Sequence, residues 1–332
     1  MEILLYTIVF LLLLVVSNVT NRFLPQLPLP LVQIVLGISL GFILPQEKFH
    51  LDTELFLALV IGPLLFREAE ESNITSILKH WRIVLYLIFP VIFISTVGLG
   101  YLAHLLWGAL PLAVCVAVGA ALGPTDLVAF ASLSERFSFP KRVENILKGE
   151  GLLNDASGLV AFRVALLAWT TGSFSLGKAS ISLVLSIIGG FAIGMLSAGL
   201  NRWLHKLLMS AQVSDIASEL LLELSLPLVT FFLAEEIHVS GIIAVVVAGI
   251  FKASRFKRIT LLEAQVDSVT ETIWNTVNFM LNGSVFIILG MELEMISEPI
   301  LKSPIYDNLL LLVSIVLLTF LLFALRFVML FT

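Results

Sequence analysis

The sequence is poor in charge. Only 13% of its 332 residues are Asp, Glu, Lys or Arg, against 59% hydrophobic, whereas soluble domains carry about 25% charged residues. That shortage excludes a soluble globular domain. With a mean hydropathy of +1.06, it requires an all-α polytopic membrane protein. Cysteine is almost missing too: Cys115 stands alone, which excludes an intramolecular disulfide and a cysteine metal site. Within its apolar run it reads as a small buried hydrophobe. The start of the chain has no basic n-region, because Glu2 stands there, and its apolar run has no small-residue cleavage site. A cleavable signal peptide is therefore not expected.

What is abundant is apolar sequence. Eleven segments stand out, at about 3–19, 28–44, 52–66, 80–105, 109–132, 144–170, 178–204, 215–235, 239–252, 270–291 and 307–331. Most approach or exceed the roughly 20 residues a helix needs to cross about 30 Å. Segments two, three and nine are short, and several contain Gly or Pro, as do the broken helices that line transporter cavities. Thirteen of the nineteen Lys and Arg residues fall in loops after odd-numbered segments. Only Lys48, Lys178 and Lys302 follow even-numbered ones. The positive-inside rule then puts the N-terminus outside and the loop after segment nine in the cytoplasm. Segment two, LPLPLVQIVLGISLGFI, and segment nine, IHVSGIIAVVVAGIFKA, echo each other. They lie seven spans apart and so run in opposite directions, the arrangement of an inverted-topology repeat.

Polar residues inside these segments are the informative ones, since a charge near the bilayer centre costs about 2.5–3.5 kcal/mol on insertion scales. Segment five reads ALGPTDLVAFASL. Gly123 and Pro124 interrupt the helix ladder, and Thr125 and Asp126 offer three side-chain oxygens beside the interruption. Asp126 is either a cation or proton ligand or a cap for the second half-helix, and the two roles are compatible. Segment six reads KGEGLLNDASGLVAFR. Glu150 and Asn154 share a helical face, Asp155 points about 100° further round, and Arg163 lies about 12 Å beyond Asp155 along the axis. Arg163 therefore needs another partner or snorkels. A desolvated carboxylate holds its proton tightly, and a nearby cation displaces it. One carboxylate can thus carry a proton or a small cation in turn.

PTDLVA followed by GEGLLNDASGLV resembles the sodium/proton exchanger branch of the monovalent cation:proton antiporter superfamily. The likeness continues through LVIGPLLFREAEE, AEEIHVSGIIAVVVAGI and NGSVFIILGMEL and covers essentially the whole chain in order. The resemblance implies an inverted-repeat antiporter fold with broken helices at the ion site, in a homodimer in a plasma (bacterial inner) membrane. It implies Asp155 as the carboxylate that binds Na⁺ or H⁺, with Asn154 beside it and Thr125 and Asp126 completing a Na⁺ site. It also implies a structural ion pair between Glu150 and Arg326. Asparagine before the aspartate resembles the electroneutral exchangers. Two positions depart from the family pattern. Gly151 stands where a serine is usual, leaving Ser157 or water to supply the oxygen. Arg67 stands where many relatives have glutamate, with Glu68 following.

The expected function is secondary active exchange of monovalent cations, Na⁺ with Li⁺ and K⁺ as further candidates, for protons. A cation channel or a K⁺-preferring antiporter on the same scaffold is the alternative, and an intramembrane hydrolase using Asp126 and Asp155 is a third reading. Neither a nucleotide-binding loop nor a metal-ligand cluster is present in the sequence, so no enzyme activity, cofactor or nucleic-acid partner is expected, only transported ions and lipid. The organisation expected is a single transporter domain: a first repeat at about 1–172, a linking span at about 178–204 and an incomplete second repeat at about 215–332. Family members have about thirteen spans, so residues 1–332 are expected to lack the last two and to leave a groove beside Pro124–Asp126. His238, Glu235 and Glu236 read as interfacial or span-end residues. KASRFKRI reads as an inner-face topology signal and lipid contact. The FREAEE run reads as a solvated loop or a cation-attracting mouth.

Overall fold

The computed structural model describes residues 2–43, 52–72, 82, 86, 90–124, 140–171, 176–211, 215–253, 261–302 and 308–331. Each of the eleven apolar segments contains a helix among the described residues. They are α1 (Glu2–Phe23), α2 (Leu29–Ile43) and α3 (Thr53–Phe56), which continues through a π-helical turn at Leu57–Ile61 into α4 (Gly62–Glu71). Then come α5 (Ile92–Leu106), α6 (Leu112–Leu122), α7 (Lys141–Thr171) and α8 (Leu176–Ser210). The last four are α9 (Ile216–Glu236), α10 (Gly241–Ala253), α11 (Leu261–Lys302) and α12 (Asn308–Phe331). Helices form because lipid offers no partner to a backbone N–H or C=O, so each must bond within its own segment. The π turn ends one residue short of Pro63, whose missing N–H loosens the ladder there.

By length and composition, four helical stretches among the described residues can cross a membrane: 185–210, 216–236, 268–295 and 309–329. The last carries its apolar side chains outward. Leu309, Ile315, Phe320, Phe323 and Phe327 are all more than 60% exposed, a surface that needs lipid against it. The helix ends are set locally. Asp52 Oδ1 accepts from the N–H groups of Glu54 and Leu55 at 3.0 and 3.1 Å. Asp215 Oδ1 accepts from Ser218 N at 2.9 Å, and these bonds from Ser218 hold its carboxyl below the usual range.

The helices sort into two groups. In one, α5 packs on α6 and α12, and α6 packs on α7. In the other, α2 lies on α11, α10 on α4 and α8, and α9 on α8 and α10, with α1 against α2. Among the described residues the groups meet chiefly along α7, through limited contact with α4, α8 and α10. A core of Leu65, Phe66, Phe231, Val245 and Trp274 fills the second group.

Small residues set the closest approaches. A Cβ on Gly37 of α2 would lie 2.2 Å from the Ile287 carbonyl oxygen of α11. A Cβ on Gly290 would lie 2.2 Å from that of Ile34. Gly41 meets Glu294 one turn further on, so α2 and α11 run parallel, as two even-numbered spans must. Gly119 of α6 meets the Thr96 carbonyl of α5 in the same way. Close backbone approach through small residues is how helices associate where lipid removes the hydrophobic drive. Gly290→Leu should therefore push α2 from α11 at a cost of about 1–3 kcal/mol, read as a lower thermal midpoint of the detergent-solubilised protein. A midpoint within one degree of the parent would sink this account of the contact.

Candidate functional site

Helix α6 stops at Leu122, with Gly123 as its C-cap. Pro124 follows, and Thr125 and Asp126 lie outside the described residues. The unbroken helix α7 passes this stop. A Cβ on its Gly158 would sit 2.3 Å from Pro124 Cγ and 3.3 Å from the Ala120 carbonyl oxygen, so only a glycine admits the proline ring there. Asn154 and Asp155 lie on α7 within about a turn of that contact, and their side chains lie outside the described set. Ser157, on the same stretch, is half-buried.

The first turns of α7 and the end of α12 are tied together at the same place. Glu150 is 3% exposed. Arg326 Nη1 lies 3.5 Å from its Oε1, and Arg326 Nη2 donates to the Gly123 carbonyl at 2.5 Å. One guanidinium therefore holds both a buried carboxylate and the C-cap carbonyl of α6. The fork geometry of arginine suits this double task.

Arg163 takes a different partner. Its Nη1 is 3.4 Å from Glu235 Oε1 of α9. The same carboxylate oxygen accepts from Gly241 N at 3.1 Å, at the start of α10. The turn between α9 and α10 brings them together with His238 in the left-handed region, φ 59°, which histidine enters more readily than bulky residues. Glu235 is thus more than a span-end residue.

Thr96 of α5 is a polar group the sequence reading missed. It is 5% exposed, and its hydroxyl finds no hydrogen-bond partner among the described residues. The hydroxyl oxygen lies 3.5 Å from the position a Cβ on Gly123 would take. Threonine is common enough in apolar helices that nothing in the sequence separates this one from the rest.

A second polar assembly also escaped the sequence reading. The FREAEE run is not a loop: Arg67 and Glu70 lie within α4, and their side chains are 12% and 15% exposed. Arg67 Nη1 is 3.0 Å from Glu70 Oε2, and Lys252 of α10 reaches Glu70 Oε1 at 2.9 Å and Glu223 of α9. Arg67 also lies 5.8 Å above the Trp274 ring. His205 of α8 contacts Glu219, one turn before Glu223. Lys252, read from KASRFKRI as an inner-face charge, is partly buried and engaged in an ion-pair network, while 254–260 lie outside the described residues. Glu219 and Glu223, four apart inside an apolar segment, were the available signal. Glu68 is half-buried on α4.

The comparisons with known proteins agree with this architecture. The family model described as "Sodium/hydrogen exchanger, transmembrane" matches residues 7–332. The chain is 38% identical over 327 residues to a sodium, potassium, lithium and rubidium/H⁺ antiporter of Bacillus subtilis, covering 98% of this chain and 49% of that protein. It is 34% identical over 314 residues to the uncharacterized Na⁺/H⁺ exchanger YjcE of Escherichia coli, covering 92% and 56%. The chain thus spans about half the length of the curated relatives it matches. In fold it is similar to the sodium proton antiporter MjNhaP1 of Methanocaldococcus jannaschii, with a TM-score of 0.68, 19% identity, and 88% of this chain and 71% of that one covered. The chain belongs to the transmembrane sodium/hydrogen exchanger family.

Proposed function

We propose that this chain is the ion-translocating membrane unit of a secondary antiporter that exchanges Na⁺, Li⁺ or K⁺ for protons. Asp155 carries either a proton or the cation, with Asn154 beside it. Thr125 and Asp126 supply oxygens from the segment after the α6 stop, and Ser157 or water takes the place of the oxygen that Gly151 lacks. Glu150 and Arg326 are a structural pair. The observation that carries this reading is the seating of Gly158 on Pro124. It brings the stretch bearing Asn154 and Asp155 against an interrupted helix in a chain of exchanger ancestry. Asn154, standing before Asp155 as in the electroneutral exchangers this stretch resembles, supports one proton leaving for each cation.

The packing supports an inverted repeat that pairs segments two and nine. Exchanging two with nine and three with ten turns the α2–α11 contact into the α10–α4 contact, and both are among the most extensive in the molecule. The division into two groups meeting along α7 suits alternating access, since thinly joined units move relative to one another. In the cell the protein is a homodimer in the plasma membrane with its N-terminus outside.

The test is transport by the full-length protein in proteoliposomes. An imposed pH difference should drive ²²Na⁺ uptake against its concentration gradient, without change when the membrane voltage is clamped at zero. Uptake that only ever runs down the cation gradient would establish a channel and reject exchange.

A further inference from the structure

We propose that Arg163 and Glu235 form a reversible latch between the two helix groups and that the pair sets the balance between the conformations of the transport cycle. This rests on the exchange reading for its role and on geometry for its existence. Arg163 belongs to α7, the helix through which the two groups meet, and Glu235 belongs to α9 in the other group. Their 3.4 Å contact crosses the boundary. The Glu150–Arg326 pair, by contrast, lies within one group, and the Lys252 network lies within the other.

The chemistry of the two kinds of pair differs as their tasks require. The side chains of Glu150 and Arg326 are 4% and 20% exposed. Separating them would strand charge in a low-dielectric interior, so that pair is permanent. The side chains of Arg163 and Glu235 are 44% and 36% exposed. Released, Arg163 reaches water or the interface along its flexible stem. Glu235 keeps the Gly241 N–H and the favourable field at the start of α10. Both partners therefore have somewhere to go, and opening costs little. A contact of that size cannot hold a fold together, yet it can bias two conformations of similar free energy. Arg163 lies eight residues beyond Asp155 on one continuous helix. Movement of α7 that carries Asp155 between the two sides therefore moves Arg163 relative to Glu235. These are positioning residues, acting through α7 and touching no transported ion.

The experiment places spin labels at Tyr101→Cys on α5 and Val229→Cys on α9, both exposed and in different groups, in the full-length protein cleared of all other cysteines, Cys115→Ala included. Distance distributions are recorded in lipid. Two populations are expected. Arg163→Gln and Glu235→Gln should each shift their ratio about two- to fivefold away from the latched distance, the size expected of a pair this exposed. Arg163→Glu should shift it further, and the swap Arg163→Glu with Glu235→Arg should bring it back toward the parent. A single population, or a ratio that none of these changes moves, overturns the latch. Proton-coupled cation uptake in the same samples reports separately on the exchange reading. A moved ratio in a protein that exchanges nothing supports the latch and rejects exchange, whereas an unmoved ratio in an active exchanger rejects the latch alone.

Discussion

Asp155→Asn should abolish cation-dependent proton movement while leaving the amount of protein in the membrane unchanged. Asparagine copies the shape of aspartate but has no proton to release and no charge with which to hold a cation. Exchange depends on one group that alternates between two charge states, so removing the alternation removes turnover rather than slowing it. The fold should tolerate the change. Helix α7 runs unbroken from Lys141 to Thr171, and its seating on α6 depends on Gly158 and Pro124. Replacing a carboxylate in an apolar segment by a neutral amide lowers the insertion cost. The measurement is ΔpH-driven ²²Na⁺ uptake normalised to protein recovered by size exclusion. Uptake above about a tenth of the parent, some 1.4 kcal/mol of barrier at most, would falsify the assignment of Asp155 as the exchanging carboxylate.

The largest loss of stability should come from Arg326→Ala, with Glu150→Ala next. Both break a mostly buried ion pair, and removing one partner of such a pair costs about 3–5 kcal/mol. That is a large share of the roughly 5–15 kcal/mol that holds a folded protein together. The two are not equivalent, because Arg326 also donates to the Gly123 carbonyl at 2.5 Å. Its loss removes the guanidinium from Glu150 and the donor from the end of α6 together. After Glu150→Ala the arginine keeps Gly123, and its side chain is 20% exposed, so the remaining charge is partly solvated. Arg326→Lys should fall between the parent and Arg326→Ala, since an ammonium keeps the charge but not the fork. Thermal midpoints of the detergent-extracted variants test the order. If Glu150→Ala is the less stable of the two alanine variants, the bridging role given to Arg326 is wrong.

The sequence by itself determined that the chain is a polytopic helical membrane protein, because that follows from apolar run length and from the need of every backbone group in lipid for a partner in its own segment. It also determined where the ladder of segment five fails, since Gly123 and Pro124 act on their own backbone and need no distant contact. The motifs around Asp126 and Asp155 were enough to point to the family.

Only the tertiary structure decided which helices are neighbours. Gly37 and Gly290 lie more than 250 residues apart, and each is one of 21 glycines, none of which carries a mark of its partner. Partner choice among charges was equally hidden. Nothing around Arg163 in the sequence names its partner, and the fold brings Glu235 of α9 to it. FREAEE read as a solvated loop or a cation-attracting mouth because its charges end the apolar run. Arg67 and Glu70 pair with each other on α4, and Lys252, 182 residues beyond Glu70, adds the second cation that balances the local charge. Hydropathy is a local sum, whereas the cost of a buried charge depends on what the rest of the chain brings to it.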